Sequence, residues 1–259
     1  MIRMRKITPL ILTYNERPNI RRALSRLHWA REILVVDSFS TDGTCEVLSE
    51  LPQVRLIQRQ FDNHTSQWNF GLDQVQSDWV LSLDADYVLS DEFVEELETR
   101  RSETGTVAYF ARFRYCILGR PLRTSLYPPR AVLFRRDLCR YIDVGHTQVL
   151  EVSGPTRFFK NPIYHDDRKS LDRWLREQDR YAIKDAQFLL ETPVKELKLP
   201  DRLRRKIVIA PVLVFFYTLL VKGLIADGLP GWFYVLQRTY AEALLSLRLL
   251  ETRMRSRTS

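Results

Sequence analysis

The sequence predicts an α/β fold in which a mostly parallel central sheet is covered by helices on both faces. Over the first hundred residues, short apolar runs rich in β-branched side chains alternate with helical patterns, which is typical of βαβ units. Polar residues follow three of these runs, at the edge of the sheet where such folds bind ligands. The chain has 259 residues, of which 45% are hydrophobic, enough for one such domain and a C-terminal extension.

The elements of the first hundred residues alternate regularly. Strands are expected at residues 7–12, 33–36, 54–57 and 79–83. A helix is expected after each strand, at residues 18–27, 47–51, 65–75 and 92–98. Pro18 suits the first turn of the first helix, and Ser90 is placed to cap the last one. This order predicts parallel strands joined by crossover helices.

The pattern changes after residue 106. Longer, partly alternating strands are predicted at residues 107–115 and 131–134, with a break at Tyr127-Pro128-Pro129 between them. An amphipathic helix is predicted over residues 171–190. We therefore expect one domain over residues 1–190, divided into halves at 1–100 and 101–170, followed by a helical extension over 191–259.

Charge and cysteine content restrict the class of protein. The net charge is +8, with basic residues concentrated at 202–206 and in the last dozen positions. No zinc-finger spacing, aromatic RNA-binding strand or basic heptad region accompanies them, so a nucleic-acid partner is not expected. Three scattered cysteines favour a reducing compartment. The apolar run at 7–12 is too short for a signal peptide, and we expect a cytoplasmic location.

The extension contains a membrane-like segment. Residues 207–221 carry no charge over fifteen positions and lie between the basic cluster at 202–206 and Lys222. Pro211 lies within the run, and the aromatic residues Trp232, Phe233, Tyr234 and Tyr240 follow it. Basic flanks and aromatic residues predict a segment in the interface of an anionic membrane, on its inner face. The alternatives are a buried helix on the first domain or an oligomer contact.

Polar side chains at the strand ends predict a ligand site. Thr13, Asn15 and Glu16 follow the first strand, and Asp37 follows the second. The fourth strand ends in Asp84-Ala85-Asp86. An Asp-x-Asp pair beside a groove suits Mg²⁺, which takes one or two carboxylates and completes its shell with water and phosphate oxygens; a solvated turn is the alternative.

Four segments resemble the family 2 glycosyltransferases in order and spacing, with the branch of lipopolysaccharide core β-glucosyltransferases the most similar. They are Thr13–Glu16, Val35–Thr44, Gln67–Leu72 and Leu81–Asp86. The resemblance is strong over residues 7–100 and thinner to about 180. It implies a GT-A fold, with the nucleotide-binding half at 1–100 and the acceptor half at 101–170. It also implies inverting transfer of a sugar from a nucleotide diphosphate sugar to a lipid-linked or saccharide acceptor.

The resemblance also implies roles for individual residues. The nucleotide-sugar donor would be bound by the strand-end residues and by the helix at 65–75, that is by Thr13, Tyr14, Asn15, Glu16, Asp37, Ser38, Gln67, Asn69 and Asp84. Asp86 would bind Mg²⁺ or Mn²⁺, and His165 matches a histidine that approaches the metal or the diphosphate. For His165 the alternative is a surface histidine.

Two departures from the family pattern bear on the chemistry. Trp68 replaces a basic residue of the helix at 65–75, and Gly145-His146-Thr147-Gln148 stands where the branch has His-Glu. The base that takes the acceptor proton is therefore left open among Asp143, His146 and Asp166, with Glu151 and Asp167 also present nearby. A nucleotidyltransferase or a non-catalytic nucleotide-sugar-binding protein are the alternative functions.

Overall fold

The computed structural model of the protein describes residues 6–99, 105–144 and 147–258. Its strands are β1 (Ile7–Thr13), β2 (Ile33–Asp37), β3 (Val54–Gln58), β4 (Trp79–Asp84), β5 (Tyr87–Leu89), β6 (Ala108–Ala111), β7 (Phe113–Ile117), β8 (Arg120–Pro121), β9 (Arg130–Arg135), β10 (Cys139–Val144), β11 (Thr147–Val152), β12 (Thr156–Phe158) and β13 (Ile163–His165). Its α-helices are α1 (Ile20–Leu24), α2 (Thr44–Ser49), α3 (His64–Gln74), α4 (Asp91–Thr99), α5 (Leu171–Glu191), α6 (Leu199–Arg204), α7 (Ile209–Phe216) and α8 (Gly228–Thr258). The predicted alternation of the first hundred residues is confirmed.

The contacts divide the chain into two compact units. The first extends to Gly119 and resumes at Leu126–Arg168, and the second consists of Arg120–Ser125 and the chain from Lys169 onward. This division falls before α5, whereas the sequence placed a boundary at residue 190. The reason is that α5 buries its apolar side against α8, with Ala182, Ala186 and Leu189 in one cluster with Leu245 and Leu249.

The first unit is built on a seven-stranded mixed sheet with the order β12-β6-β9-β4-β1-β2-β3. The pairs β4–β1, β1–β2, β2–β3 and β12–β6 are parallel, and β9 is antiparallel to both β4 and β6. In the register, Thr13 faces Asp37 and Leu12 faces Asp84. The ends of β1, β2 and β4 therefore lie at one edge of the sheet.

The single strand predicted over residues 107–115 is divided in the structure. β6 joins the large sheet, whereas β7 pairs with β13 in a smaller sheet that also contains β5. The chain changes sheets at Arg112, whose carbonyl accepts a hydrogen bond from the main-chain nitrogen of Ile163 at 3.0 Å. Continuous alternation in sequence does not reveal such a change of sheet, because both strands keep the same period of two.

Each face of the large sheet has its own core. Ile11, Leu81 and Leu83 pack on one face with α1 and α4, whereas Leu10, Leu34 and Val36 pack under α3 on the other. The α3 helix lies close to β1 because Gly71 leaves room for Leu10: a Cβ atom at position 71 would lie 2.7 Å from the Cδ1 atom of Leu10. Ser90 caps α4 as predicted, accepting a hydrogen bond from the nitrogen of Phe93 at 3.0 Å.

The second unit is helical, as the sequence predicts. Glu242 of α8 is buried and binds the guanidinium group of Arg204 through both carboxylate oxygens. The hydroxyl of Ser246 donates to the carbonyl of Ile207 at 2.7 Å, which holds the left-handed turn at that residue, where φ is 65°. These contacts fix α6 and the start of α7 against α8.

Candidate active site

The ends of β1 and β2 are joined around a buried carboxylate. Asp37 has no exposed surface. Its oxygens accept hydrogen bonds from the hydroxyl of Thr13 at 2.9 Å and from the nitrogen of Ser40 at 2.8 Å. The Ser40 hydroxyl also donates to Asp37. Asp37 therefore organises the loop that follows β2, in addition to any contact it makes with a ligand.

The loop after β1 is held in an unusual backbone conformation. Asn15 has a φ of 55°, in the left-handed region that asparagine adopts more readily than most residues. Its nitrogen donates to the Ser40 hydroxyl at 2.7 Å, and its side-chain oxygen accepts from the nitrogen of Thr41 at 2.7 Å. Tyr14 is exposed beside it. The two strand-end loops thus form one surface that carries Thr13, Asn15 and the loop after Asp37.

Glu16 is oriented by a residue that the sequence did not single out. The amide of Asn19 is buried and donates to Glu16 at 2.9 Å and to Asp167 at 2.8 Å. Its oxygen accepts from the nitrogen of Arg168 at 2.8 Å. Asn19 therefore connects the loop after β1 to the segment that follows β13.

The start of α3 contributes Gln67 to the same edge. Gln67 is buried and donates to the hydroxyl of Ser38 at 3.1 Å. The side-chain oxygen of Gln67 accepts from Arg59, which also forms a bidentate ion pair with Asp62. Arg59 follows β3, so a positive charge lies at the strand-end edge that sequence analysis did not identify.

Asn69 holds the main chain of β10 in place. Its amide nitrogen donates to the carbonyl of Tyr141 at 2.9 Å, and its oxygen accepts from the Tyr141 nitrogen at 3.0 Å. Both ends of the amide are thus used by the protein itself. This arrangement gives Asn69 a positioning role, and its predicted contact with the nucleotide remains a prediction.

The Asp-x-Asp pair meets His165 at the end of β4. Asp86 Oδ2 lies 3.3 Å from His165 Nε2, and His165 faces Tyr87 and Tyr115 in the registers of β5 and β7. Burial acts to lower the pKa of His165, but the carboxylates of Asp86 and Asp84 outweigh it and raise that pKa. The alternative of a surface histidine is wrong, because the side chain is only 13% exposed.

Three tyrosine rings enclose His165. The ring centroids of Tyr87, Tyr115 and Tyr127 lie 5.3, 4.7 and 4.6 Å from the imidazole, all with the rings edge to face. The hydroxyl groups of Tyr87 and Tyr127 share a hydrogen bond. Burial raises the pKa of both phenols, so they stay protonated at neutral pH. The enclosure fixes the orientation of the imidazole relative to Asp86.

A cavity of about 290 Å³ opens beside Asp84. It is lined by the side chains of Trp68, Ser82, Asp84, Tyr87, Phe110, Pro128, Pro129, Arg130, Ala131, Val132, Tyr141, Gln148, Val149 and Leu150. Arg130 is the positively charged member of this lining, and its guanidinium group lies 5.1 Å from the centroid of the Tyr127 ring. Trp68 is buried and stacks on Tyr141 at 5.2 Å, so it fills core and also forms part of the cavity wall.

The predicted bases lie in different environments. Asp143 is exposed on β10 and accepts a hydrogen bond from the hydroxyl of Thr65 at 2.5 Å. Asp166 is buried, forms an ion pair with Arg168 at 2.9 Å and accepts from the nitrogen of Gly119 at 3.0 Å. These contacts occupy the Asp166 carboxylate within the protein. His146 lies outside the described residues.

Comparison with known proteins identifies the family. The model of glycosyl transferase family 2 matches residues 10–164, which is more than half of the chain. The protein belongs to family 2 of the glycosyltransferases. The match covers the strand-end loops, the Asp-x-Asp pair and the cavity described above, all of which belong to the α/β first unit.

Individual relatives are similar over different lengths. An uncharacterized glycosyltransferase of Rickettsia prowazekii is 26% identical over 203 residues, which is 73% of this chain and 69% of that protein. The lipopolysaccharide core biosynthesis glycosyltransferase LpsC of Rhizobium meliloti is 29% identical over 101 residues, 38% of this chain and 37% of LpsC. The crystal structure of S. aureus TarS 1-349 in complex with UDP is 14% identical, covers 96% of this chain and 91% of that chain, and has a TM-score of 0.49.

The donor atoms of this family 2 enzyme bear on metal binding. Among the described residues, no group of three or more histidine, cysteine or acidic side chains is arranged to hold an ion. The carboxylate of Asp86 is the kind of ligand that suits Mg²⁺ or Mn²⁺. The imidazole of His165 ligates a metal only in its neutral form, so phosphate oxygens of a substrate and water would have to supply the other ligands.

Sequence reasoning missed several residues of this glycosyltransferase site. Asn19 follows Pro18 in the predicted first helix. Tyr115 and Tyr127 belong to a predicted strand and a predicted break, and Tyr87 lies between the predicted fourth strand and the helix that follows it. Arg130 directly follows the Pro128-Pro129 pair. The signal that was available is the aromatic and basic character of residues 109–130, where tyrosine, phenylalanine and arginine recur among apolar residues.

Proposed function

We propose that this family 2 enzyme transfers a sugar, with inversion, from a nucleotide diphosphate sugar to a lipid-linked or saccharide acceptor in envelope glycan biosynthesis. The observation that carries the proposal is the joining of the ends of β1, β2 and β4 into one polar edge, beside which Asp86 meets His165. Such an edge suits a nucleoside diphosphate, because polar side chains can bind the base and the ribose while a positive charge neutralises the phosphates.

Binding of the donor would be divided along the sheet edge. Thr13, Asn15 and Glu16 would line the nucleoside pocket, with Asp37 and Gln67 holding the loops that shape it. Asp86 and His165 would hold Mg²⁺ or Mn²⁺. That ion would supply Lewis-acid stabilisation of the negative charge that develops on the departing diphosphate.

Arg130 would add a second positive charge. Because it lines the same cavity as Asp84, its guanidinium group would lie close to the sugar and the diphosphate. It would compensate for the basic residue of α3 that Trp68 replaces. Bidentate hydrogen bonding makes arginine well suited to phosphate oxygens.

Asp143 is the base that the arrangement supports best. In the β10–β11 hairpin Asp143 pairs with Gln148, and Tyr141, two residues earlier on β10, pairs with Leu150. Facing residues of an antiparallel pair project to the same side, and Gln148, Tyr141 and Leu150 all line the cavity. Asp143 would accept the acceptor's hydroxyl proton as the new glycosidic bond forms. His146 remains the alternative.

Two further features support the proposed acceptor and location. LpsC is a lipopolysaccharide core biosynthesis glycosyltransferase, which supports a lipid-linked glycan acceptor. The basic, apolar second unit supports attachment to the inner face of an anionic cell membrane, where such an acceptor would be located.

A donor panel tests the function. The purified enzyme is titrated with UDP, GDP, dTDP and CDP, each with and without Mn²⁺, while its melting temperature is measured. We expect one nucleotide to stabilise the protein and Mn²⁺ to deepen the shift, because a ligand at 100 times its Kd adds about 2.7 kcal/mol. The corresponding nucleotide sugar should then be hydrolysed slowly without acceptor. Binding without any hydrolysis would instead favour a non-catalytic nucleotide-sugar-binding protein.

Asp86→Ala tests the metal role within the same panel. It should abolish donor hydrolysis and the part of the thermal shift that depends on Mn²⁺, while the nucleotide alone still stabilises the protein. Full retained hydrolysis by Asp86→Ala would refute the assignment of Asp86.

A further inference from the structure

The α7 helix of the second unit exposes an apolar stripe. Its exposed side chains recur every four residues, through α7 and the π-helical turn Tyr217–Val221 that continues it. The stripe consists of Val208, Ile209, Val212, Leu213, Phe216, Tyr217, Leu220 and Val221. The opposite side of the same segment is buried, at Ala210, Thr218 and Leu219. The helix is therefore apolar on both sides, and only one side is used by the packing of the unit.

The first half of α8 repeats this arrangement. Leu229, Trp232, Phe233, Leu236 and Tyr240 are exposed, whereas Tyr234 and Val235 between them are buried. Leu229 is 84% exposed and Val221 is 73% exposed. Together with the α7 stripe, these residues form what we call the apolar face. Exposed apolar surface on this scale marks a site of interaction with a membrane or a protein.

Charge identifies the occupant of the apolar face. Residues 207–221 carry no charge, and Lys206 and Lys222 stand at the two ends of the stripe. Lys222 lies over the Tyr217 ring at 5.7 Å. An anionic lipid surface complements this pattern, because its acyl region accepts the stripe and its phosphates attract the lysines. A second copy of the chain would bring lysine against lysine.

The bend between α7 and α8 sets the orientation. Among the described residues no single helix is long and apolar enough to cross a bilayer, although the pair Ile209–Val221 and Leu224–Arg255, bent by 67°, meets those criteria jointly. The bend carries charged residues. Lys222 precedes it, and Asp227 forms an ion pair at 3.1 Å with Arg123, and the Arg123 side chain is exposed. Inserting the bend first would carry these charges into the hydrocarbon, which is strongly unfavourable.

We infer that the apolar face lies in the plane of an anionic membrane. Its two arms, which are the α7 stripe and the first half of α8, would lie at equal depth in one leaflet, with the bend between them at the level of the headgroups. This inference rests on the proposed function for the choice of a membrane, and it adds the residues that enter the lipid and their orientation. The α7 segment of thirteen residues spans about 20 Å at 1.5 Å per residue, so it lies along the interface as a short rod.

Flotation with vesicles tests the lipid contact. Wild-type protein is floated with vesicles of phosphatidylcholine containing 30% phosphatidylglycerol, and with phosphatidylcholine alone. Val221→Glu and Leu229→Glu should each lower partitioning to the anionic vesicles by about tenfold or more, since each places a charge where an apolar side chain enters the lipid. Leu118→Glu is the matched control, because Leu118 is 72% exposed in the first unit, and it should partition as wild type.

Two results would overturn the lipid contact. One is equal flotation of the three glutamate variants. The other is a lipid-free dimer that Val221→Glu and Leu229→Glu dissociate while their flotation is unchanged, which would assign the apolar face to a second copy. Donor binding is measured on the same samples. Loss of flotation with intact nucleotide binding supports the inference, and absence of nucleotide binding in all samples would contradict the proposed function alone.

Depth measurements test the orientation. Single cysteines at 213, 220, 226, 229 and 236, in a variant with Cys45→Ser, carry an environment-sensitive fluorophore, and quenching by lipids brominated at known depth is recorded. Positions 213, 220, 229 and 236 should be quenched at similar depth, with position 226 shallower. Deepest quenching at 226 would show insertion of the bend first and would overturn the in-plane orientation.

Discussion

The two units of the molecule differ in where they place polar and apolar side chains: the first buries polar groups, and the second exposes apolar ones. The first unit gathers polar side chains at one sheet edge and satisfies most of them internally: Asp37, Gln67 and Asn19 are buried and hydrogen bonded. The second unit satisfies its buried ion pair between Arg204 and Glu242 but leaves the apolar face outside. One unit is organised around polar atoms inside, and the other presents apolar atoms outside.

This difference teaches that the two units are built for different surroundings. A buried polar edge is stable in water because each group finds a partner within the protein. An exposed apolar face gains free energy only when another surface covers it. Changes in the first unit should therefore alter chemistry and donor affinity, whereas changes in the apolar face should alter partitioning.

The largest effect is expected for Asp143→Asn. Losing the base should lower kcat by about 10²–10⁴-fold, while the KM for the donor and vesicle partitioning stay unchanged, because the amide keeps the shape and the hydrogen bond from Thr65. Steady-state transfer rates at saturating donor check this. Glu151→Gln is the control, since it removes an exposed carboxylate from the neighbouring strand of the same hairpin. Wild-type kcat in Asp143→Asn would favour His146 as the base.

The sequence predicts the helices and strands of the first unit far better than it predicts the surroundings of His165. Alternation of apolar runs and helical patterns is a local signal, so β1 to β4 and α1 to α4 lie where expected. The enclosure of His165 is not local: Tyr87, Tyr115 and Tyr127 come from three segments, and the change of sheet at Arg112 brings Tyr115 to the histidine. No periodicity within one segment encodes such a meeting.

The second unit shows a different limit of sequence reasoning. Its helices are predicted, and so is the apolar run at 207–221. Which side of that run is buried depends on α8, more than ten residues further along, and an all-apolar helix has no polar side to indicate its orientation. The boundary at residue 190 has the same origin, since the partner of α5 is the distant C-terminal half of α8.

Arg130→Gln should have an intermediate effect confined to the first unit. Charge-assisted hydrogen bonds contribute about 1.5–3 kcal/mol, so the affinity for the nucleoside diphosphate should fall by about 10- to 150-fold. Affinity for the corresponding nucleoside should not change, because it lacks the phosphates. Calorimetric titration of both ligands checks the difference. Arg31→Gln removes the same charge from an exposed loop before β2 and should bind both ligands as wild type.

An equal loss of affinity for nucleoside and diphosphate in Arg130→Gln would place Arg130 outside the phosphate site. It would then serve only the packing of the Tyr127 ring. Unchanged affinity for both ligands would leave Arg59, at the end of β3, as the cation to examine.

The smallest effect, on stability, comes from a pair of glycines, one in each unit. A Cβ atom at Gly231 of α8 would lie 1.9 Å from the carbonyl oxygen of Leu224, whereas at Gly71 of α3 it would lie 2.7 Å from the flexible end of Leu10. Gly231→Ala must displace main chain at the bend and should lower the free energy of unfolding by about 1–3 kcal/mol. Gly71→Ala has to displace the two methyl groups of Leu10 rather than main chain and gains about 1 kcal/mol of helix propensity, so its loss should be smaller.

Urea unfolding followed by far-UV circular dichroism, with nucleotide binding and vesicle flotation on the same samples, separates the two glycines. Gly231→Ala should weaken flotation and leave nucleotide binding intact, because the bend that aligns the two arms of the apolar face lies in the second unit. Gly71→Ala should do the reverse, since α3 carries Gln67 and Trp68. A Gly231→Ala variant that loses nucleotide binding while it still floats would show that the two units are not functionally separate, and the comparison on which these predictions rest would fail.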